Sequence, residues 1–312
     1  MIRVILYLLI YIFVCCCAEK SQPLPPNNTT PVDTISTGVR CNGSDTTIFR
    51  FSGTLAPLQI VEASGIIASE KNSGYFWIHD DGSRAILYLL DSMGIQVGSV
   101  KLLSPYGFTD IEDIALAKNS KTGIPFLYIA DIGDNKAVRD IKNIGIFEEP
   151  TKAQVITTSQ LILSPNEMIR FRYPDGKRDA ESIMIDPIND DIYIVTKREA
   201  QVGVYKATTP LKSFTIDTLQ KLGVLPYRLV TAADISRDGS EIIIRDYEKA
   251  YYWKRNANES IGKTLSKNAK CLYIFAEEQG EGICFSKDGS KFFTVSEKVS
   301  RPQEFIYTYL RR

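Results

Sequence analysis

The chain has 312 residues, with 37 Lys and Arg against 37 Asp and Glu, so its formal net charge is zero. No whole-chain field draws it to nucleic acid or to an acidic membrane surface, and neither is expected as a partner. With one histidine, His79, no His-based zinc centre and no Ser–His–Asp triad can be built without that residue, and no glycine-rich phosphate loop is present.

In chain order, residues 1–18 open with one Arg and an apolar run ending at Val14, followed by Cys15, Cys16, Cys17 and Ala18. The run is short for a bilayer span and has the layout of a secretory signal peptide, either cleaved at the small residues or lipidated on one of the cysteines. The expectation is an extracellular or cell-surface protein that meets a membrane only through such an N-terminal lipid. Residues 19–46 are rich in Pro, Ser, Thr and Asn and lack periodic hydrophobicity, the composition of a disordered tether. Asn27, Asn28, Asn42 and, farther on, Asn258 sit in N-x-S/T sequons. Beyond the leader, Cys41, Cys271 and Cys284 allow at most one internal disulfide, for which Cys41 with Cys271 is the expected pair.

Residues 47–312 read as one all-β domain. A strand, TIFRFSG (47–53), stands alone at its start, and a repeat follows. Five segments share a plan: VEASGI ending at Ile66, TDIEDI at Ile114, RDAESI at Ile183, VTAADI at Ile235 and QGEGI at Ile283. Each runs through a turn rich in Asp, Asn, Lys, Ser or Gly into a second strand: YFWIHD, FLYIAD, IYIVTK, IIIRD and FFTVSE. Third strands follow (AILYLLD, IGIFEEP, VGVYKA, AYYWKR, EFIYTYL), then less regular fourth ones in the first four repeats. Strand-sized runs recurring at about 50 residues describe propeller blades, and a β-sandwich would lack that recurrence. The fifth repeat ends at Arg312 without a fourth strand, so the strand at 47–53 is expected to close the ring and remove both edges. The expectation is a five-bladed β-propeller. TKAQVITTSQLILSPNEM reads as an insertion in the long second interval, and six blades are the alternative if it forms a unit of its own.

The first strand of each blade lines the central channel, and residues two apart share a face. Counting back from the aligned isoleucines, one column holds Glu62, Asp110, Asp179, Thr231 and Gln279, and the next Ser64, Glu112, Glu181, Ala233 and Glu281. These columns predict two stacked, largely acidic rings. The second strands return to the same mouth with His79, Ala130, Thr196, Arg245 and Ser296, then Asp80, Asp131, Lys197, Asp246 and Glu297. The turns beyond add Asp81, Asp134, Asn135, Arg139 and Arg198, while the opposite mouth receives what read as ordinary solvent-facing hairpins. DIGDN (131–135) lacks the EF-hand spacing and a terminal Glu, and a tight turn accounts for its Gly and Asn.

Carboxylates about 4 Å apart repel by roughly 4 kcal/mol at an effective dielectric near 20. Raised pKa values, basic partners such as Lys197 and Arg245, or a hard cation such as Ca²⁺ would each relieve that repulsion. Candidate ligand-binding residues are therefore Glu62, His79, Asp80, Asp110, Asp131, Asp179, Lys197 and Arg245.

DIEDIA, LYIADIGDNKAVRD and RDAESIMIDPINDDIYIVTKRE, with TAADISRDGSEIIIRDY and EQGEGI, resemble a group of exported β-propeller proteins, often lipoproteins in bacteria. The likeness runs from about residue 60 to 298, and that group brings no activity to transfer. More distantly, the acid-x-x-I strand openings look like those of phytase-like esterase and gluconolactonase-type propellers. That likeness implies calcium held by Glu112, Glu181 and Glu281, although Ser64 and Ala233 break the acid ring. The expected function is binding of a small polar ligand, with a divalent cation, by a monomer. A metal-assisted hydrolase of a phosphoester, lactone or glycoside and a protein-interaction scaffold are the alternatives.

Overall fold

Each repeat starts with a strand buried along nearly all its length: Ala63–Ala68, Ile111–Lys118, Ala180–Ile185, Val230–Ile235 and Gln279–Phe285. Strands enclosed on both faces must satisfy every amide within the sheet, and each pairs antiparallel with the second strand of its own blade. The result, in a computed structural model that describes residues 33–36 and 40–312, is five sheets arranged as a β-propeller. The signal-peptide reading of residues 1–18 and the sequons at Asn27 and Asn28 lie outside the described residues.

Blade 5 is completed as expected. Phe49–Pro57 pairs antiparallel with Phe305–Arg311, from Phe49 opposite Arg311 to Pro57 opposite Phe305. The insertion does not form a sixth blade. It contributes a helix, Lys152–Ile156, capped by Thr151, and a strand, Leu161–Leu163, that adds in parallel to the outer strand of blade 1 (Gln96–Leu102). Ile216–Thr218 adds in the same way to the outer strand of blade 2. Both additions cover exposed sheet edges.

Part of the stretch with tether-like composition is docked. Ile35 N donates to Leu222 O at 2.8 Å, Asp33 Oδ1 accepts from Ser260 Oγ at 2.5 Å, and Asp45 N donates to Cys271 O at 2.6 Å. Cys41 and Cys271 form the disulfide, and Cys284 is free and buried.

The apolar core lies between neighbouring blades. Met184 and Val195 of blade 3 pack with Ile242, Tyr251 and Trp253 of blade 4, and Tyr252 of blade 4 packs with Tyr307 and Tyr309 of blade 5. The tyrosines of AYYW and IYTY are thus inter-blade filler.

One irregularity recurs and positions the site. Every innermost strand shifts register near its start: between Ala63 and Ile66, Ile111 and Asp113, Ala180 and Ser182, Val230 and Ala232, and Gly280 and Gly282. Such bulges re-aim side chains next to binding sites. In blade 2 the extra residue is Glu112. Its neighbour Asp113 is freed to bridge blades, accepting from Ile114 N at 2.8 Å and from Ile183 N of blade 3 at 3.0 Å.

Candidate functional site

The DIEDI opening of blade 2 is held from below by Asp131. That fully buried carboxylate accepts from Asp110 N at 2.9 Å, Asn143 Nδ2 at 3.1 Å and Arg139 Nη2 at 2.9 Å. With its oxygens committed, Asp131 is a tie that aims Asp110 and the bulged Glu112 at the axis. Gly133 makes room for them, because a Cβ there would collide with both the Glu112 and Asp110 carboxylates. Its amide donates to Asp110 O at 3.2 Å. The glycine of DIGDN serves the close approach of these carboxylates rather than a turn.

Two groups of three carboxylates result. Asp81, Asp110 and Glu112 each offer an oxygen within 4.8 Å of the others, and so do Glu112, Asp179 and Glu181. Glu112 belongs to both. It is 7% exposed, and no donor among the described residues bonds its carboxylate. Burial, and after it the charges of Glu181, Asp81 and Asp110, push its pKa well above the usual carboxylate range. Burial raises Asp81 and Asp110 as well, helped by Glu62 on the first and by Asp81 on the second. Asp81 Oδ1 is buried without a hydrogen-bond partner.

The second group is neutralised from within the fold. Lys197 Nζ bonds Glu181, and its ammonium lies 4.9 Å from the centre of the Tyr247 ring. Arg198 Nε donates to Asp179 Oδ2 at 2.6 Å, and Asp134 N to Asp179 Oδ1 at 2.7 Å. Burial works against the charge on Lys197, but Glu181 and Glu281 outweigh it and hold the ammonium above the ordinary lysine range. Burial still pushes Glu181 up to about 8, against the pull of Lys197. Glu281 is raised by burial and accepts from Gln279 Nε2 at 3.0 Å, whose amide also reaches Glu297 at 2.6 Å. Burial and then Glu281 push Glu297 up to about 7.

Asp110, Glu112, Asp179, Glu181 and Lys197 therefore come together at one mouth, with Glu281 beside Lys197. Glu62 is exposed at the rim, 4.0 Å from Arg84, and Asp80 is ion-paired to Arg84 at 2.6 Å. His79 and Arg245 are not in this group. His79 Nε2 accepts from Gly65 N at 3.1 Å, which leaves Nδ1 to donate to Asp80 O at 2.8 Å. Burial pushes its pKa down to about 4, so the ring is neutral at pH 7. Arg245 is fully buried under Gly280 and paired with Glu277 at 2.7 Å. Asp81 and Tyr247 are the residues that the acid columns miss. The turn beyond the second strand of blade 1 already places Asp81 at this mouth in the sequence, and no sequence signal marks Tyr247.

The opposite mouth is more than solvent-facing hairpins. Glu70 is ion-paired to Lys118 at 2.7 Å and Lys287 at 3.0 Å, and Arg237 donates to Leu116 O at 2.8 Å and Ala68 O at 2.7 Å. These bonds tie blades 1, 2, 4 and 5 together. Deep in the fold, Asp234 accepts from Phe285 N of blade 5 at 2.8 Å, as Asp113 accepts from blade 3.

No protein-family model matches the chain, and no curated protein matches it. Among solved structures the chain is similar to one titled "Structure of Dos1 propeller", at 10% identity over 77% of this chain and 67% of that one, with a TM-score of 0.35.

Proposed function

We propose that the acidic mouth is a divalent-cation-dependent site for a small polar ligand, with Asp81, Asp110 and Glu112 holding the ion. The observation that carries this reading is the Glu112 carboxylate, more than nine-tenths buried, without a bonding partner, and shared by both acidic groups. Burying such a group unpaired is costly, and a cation is the partner that the first group lacks. Lys197 and Arg198 compensate Glu181 and Asp179, whereas no ion pair engages Asp81, Asp110 or Glu112 among the described residues. The proposed ligand set thus shares only Glu112 with the ring of Glu112, Glu181 and Glu281. Three carboxylates with backbone oxygens and water suit Ca²⁺, which takes six to eight oxygen ligands.

The ion would supply a positive centre for an anionic or hydroxylated ligand group. Gln279, Glu281 and Glu297 would accept or donate hydrogen bonds around it. A metal-assisted hydrolase is a second reading, favoured by the place of Glu297 at the same mouth, joined to Glu281 through Gln279, where burial and the charge of Glu281 push its pKa up to about 7 and suit it to move a proton. Export is part of the proposal, supported by the Cys41–Cys271 disulfide, a bond that persists in oxidising compartments. Calorimetric titration of the protein with Ca²⁺ tests the site: heat of binding that Glu112→Gln abolishes supports it, and no heat from wild type overturns it.

A further inference from the structure

The two acidic groups share Glu112, and in each the carboxylate oxygens lie within 4.8 Å of one another, yet they differ in what already occupies them. The group of Asp81, Asp110 and Glu112 makes no ion pair among the described residues, although the charge of Lys197 reaches Glu112 and Asp81 and that of Arg139 reaches Asp110. The group of Glu112, Asp179 and Glu181 meets the same distance requirement for a metal ion, but the Lys197 ammonium sits on Glu181 and Arg198 bonds Asp179. Lys197 is itself 4% exposed and fixed on its other side by the Tyr247 ring. A buried ammonium bonded to one of the three carboxylates is a cation that the fold itself delivers to that group.

We propose that Lys197 is a resident cation that sets the stoichiometry of the site: the mouth takes one divalent ion, and removing the ammonium opens a latent second position bridged to the first by Glu112. This inference rests on the cation reading given above. A filled pair of ions sharing one carboxylate is the arrangement of two-metal hydrolases, in which both attacking and leaving oxygens are clamped. Lys197 blocks that arrangement and leaves one ion beside a fixed positive charge. A ligand bearing an anionic oxygen would then meet the ion on the side of blades 1 and 2 and the ammonium on the side of blade 3.

The electrostatics support a swap of one charge for another. Lys197 is the one ion-pair partner of Glu181 among the described residues, so its loss leaves that buried carboxylate uncompensated beside Glu112. A divalent ion restores that balance with oxygen ligands already within range. Arginine in place of lysine keeps the charge and should keep the position closed.

The test is a count of Mn²⁺ bound by the full chain, by equilibrium dialysis, with the electron paramagnetic resonance spectrum of the bound ion. Wild type and Lys197→Arg are expected to bind one Mn²⁺ with an uncoupled spectrum. Lys197→Met is expected to bind two, with the spectrum broadened by spin coupling between neighbouring ions. If Lys197→Met does not fold, Lys197→Gln, whose amide still donates to Glu181, carries the same count. One ion in the neutral variants, or two in wild type, overturns the inference about Lys197 while leaving the cation site standing. No ion bound by wild type overturns the cation reading itself.

Discussion

The amide of Asp134 donates to the carboxylate of Asp179 at 2.7 Å, joining the DIGDN loop of blade 2 to the RDAES opening of blade 3. Arg198 closes the same junction by bonding both Asp179 and Asn135. The two most distinctive stretches of the sequence thus build one wall of one mouth. Asp134 is itself held by the fully buried Lys142 at 2.8 Å, so the wall is braced from the core.

Gly133 is the tightest point of that wall. Gly133→Ala should press a methyl group against the Glu112 and Asp110 carboxylates, side-chain ends that can swing aside, so the cost in stability should be small. Because the obstruction falls on the proposed ion ligands, the variant should also lose Ca²⁺ affinity. Denaturant unfolding and Ca²⁺ titration of the same sample check both outcomes.

Arg245 should matter for stability and not for the ion. Arg245 and Glu277 are both fully buried, and Arg245→Ala would leave the glutamate without its partner, a loss of about 3–5 kcal/mol. Cation stoichiometry should stay at the wild-type value, measured under conditions where the variant is folded. A loss of ion binding with an intact fold would instead place Arg245 in the site.

Asp234 gives a pH dependence with a definite sign. Burial raises its pKa from the ordinary 3.8 to about 6, partly offset by Arg237. The folded state therefore holds this proton more tightly than the unfolded chain does. The contribution is present in full below pH 3.8 and is lost as pH rises to about 6, a change of about 3 kcal/mol at 1.36 kcal/mol per pKa unit. Asp234→Asn keeps a carbonyl acceptor for Phe285 N and removes the charge. Its stability relative to wild type should rise between pH 4 and pH 7, read from urea midpoints at each pH.

The disulfide should act on stability alone. Cys41 and Cys271 are 230 residues apart, so the bond closes most of the chain into a loop. Replacing both with Ser should cost about 2–5 kcal/mol. Cys284, buried and free, should resist alkylation until the protein unfolds.

The blades were legible because their signal is local: apolar runs of strand length, punctuated by turns, with an isoleucine at the same point of each first strand. The acids were legible in part. Asp110, Glu112, Asp179 and Glu181 follow from counting back along those strands, and the structure groups them. His79 and Arg245 occupy an aligned column at the same mouth, yet both are buried beneath it. Their burial depends on Gly65 and Gly280, whose missing side chains admit an imidazole and a guanidinium. A glycine in a strand does not say which neighbour fills the space it leaves. Asp81 stands outside the columns because it lies just beyond the second strand of blade 1, which ends at Asp80, in a turn whose approach to Asp110 no strand count gives. The bonds of Glu70 to Lys118 and Lys287 were out of reach for a simpler reason, since the three residues lie at or just beyond the ends of the innermost strands of different blades.

Thermal unfolding of the full chain and of Glu112→Gln, in EDTA and then with Ca²⁺, Mg²⁺ or Mn²⁺, tests the central claim most directly. An ion that binds only the folded state stabilises it by about 2.7 kcal/mol at a hundredfold excess over its Kd. The account predicts a cation-specific rise in Tm for wild type that Glu112→Gln does not show. Identical melting of wild type in EDTA and in every cation would contradict it and leave the acidic mouth as a feature of the propeller's own charge balance.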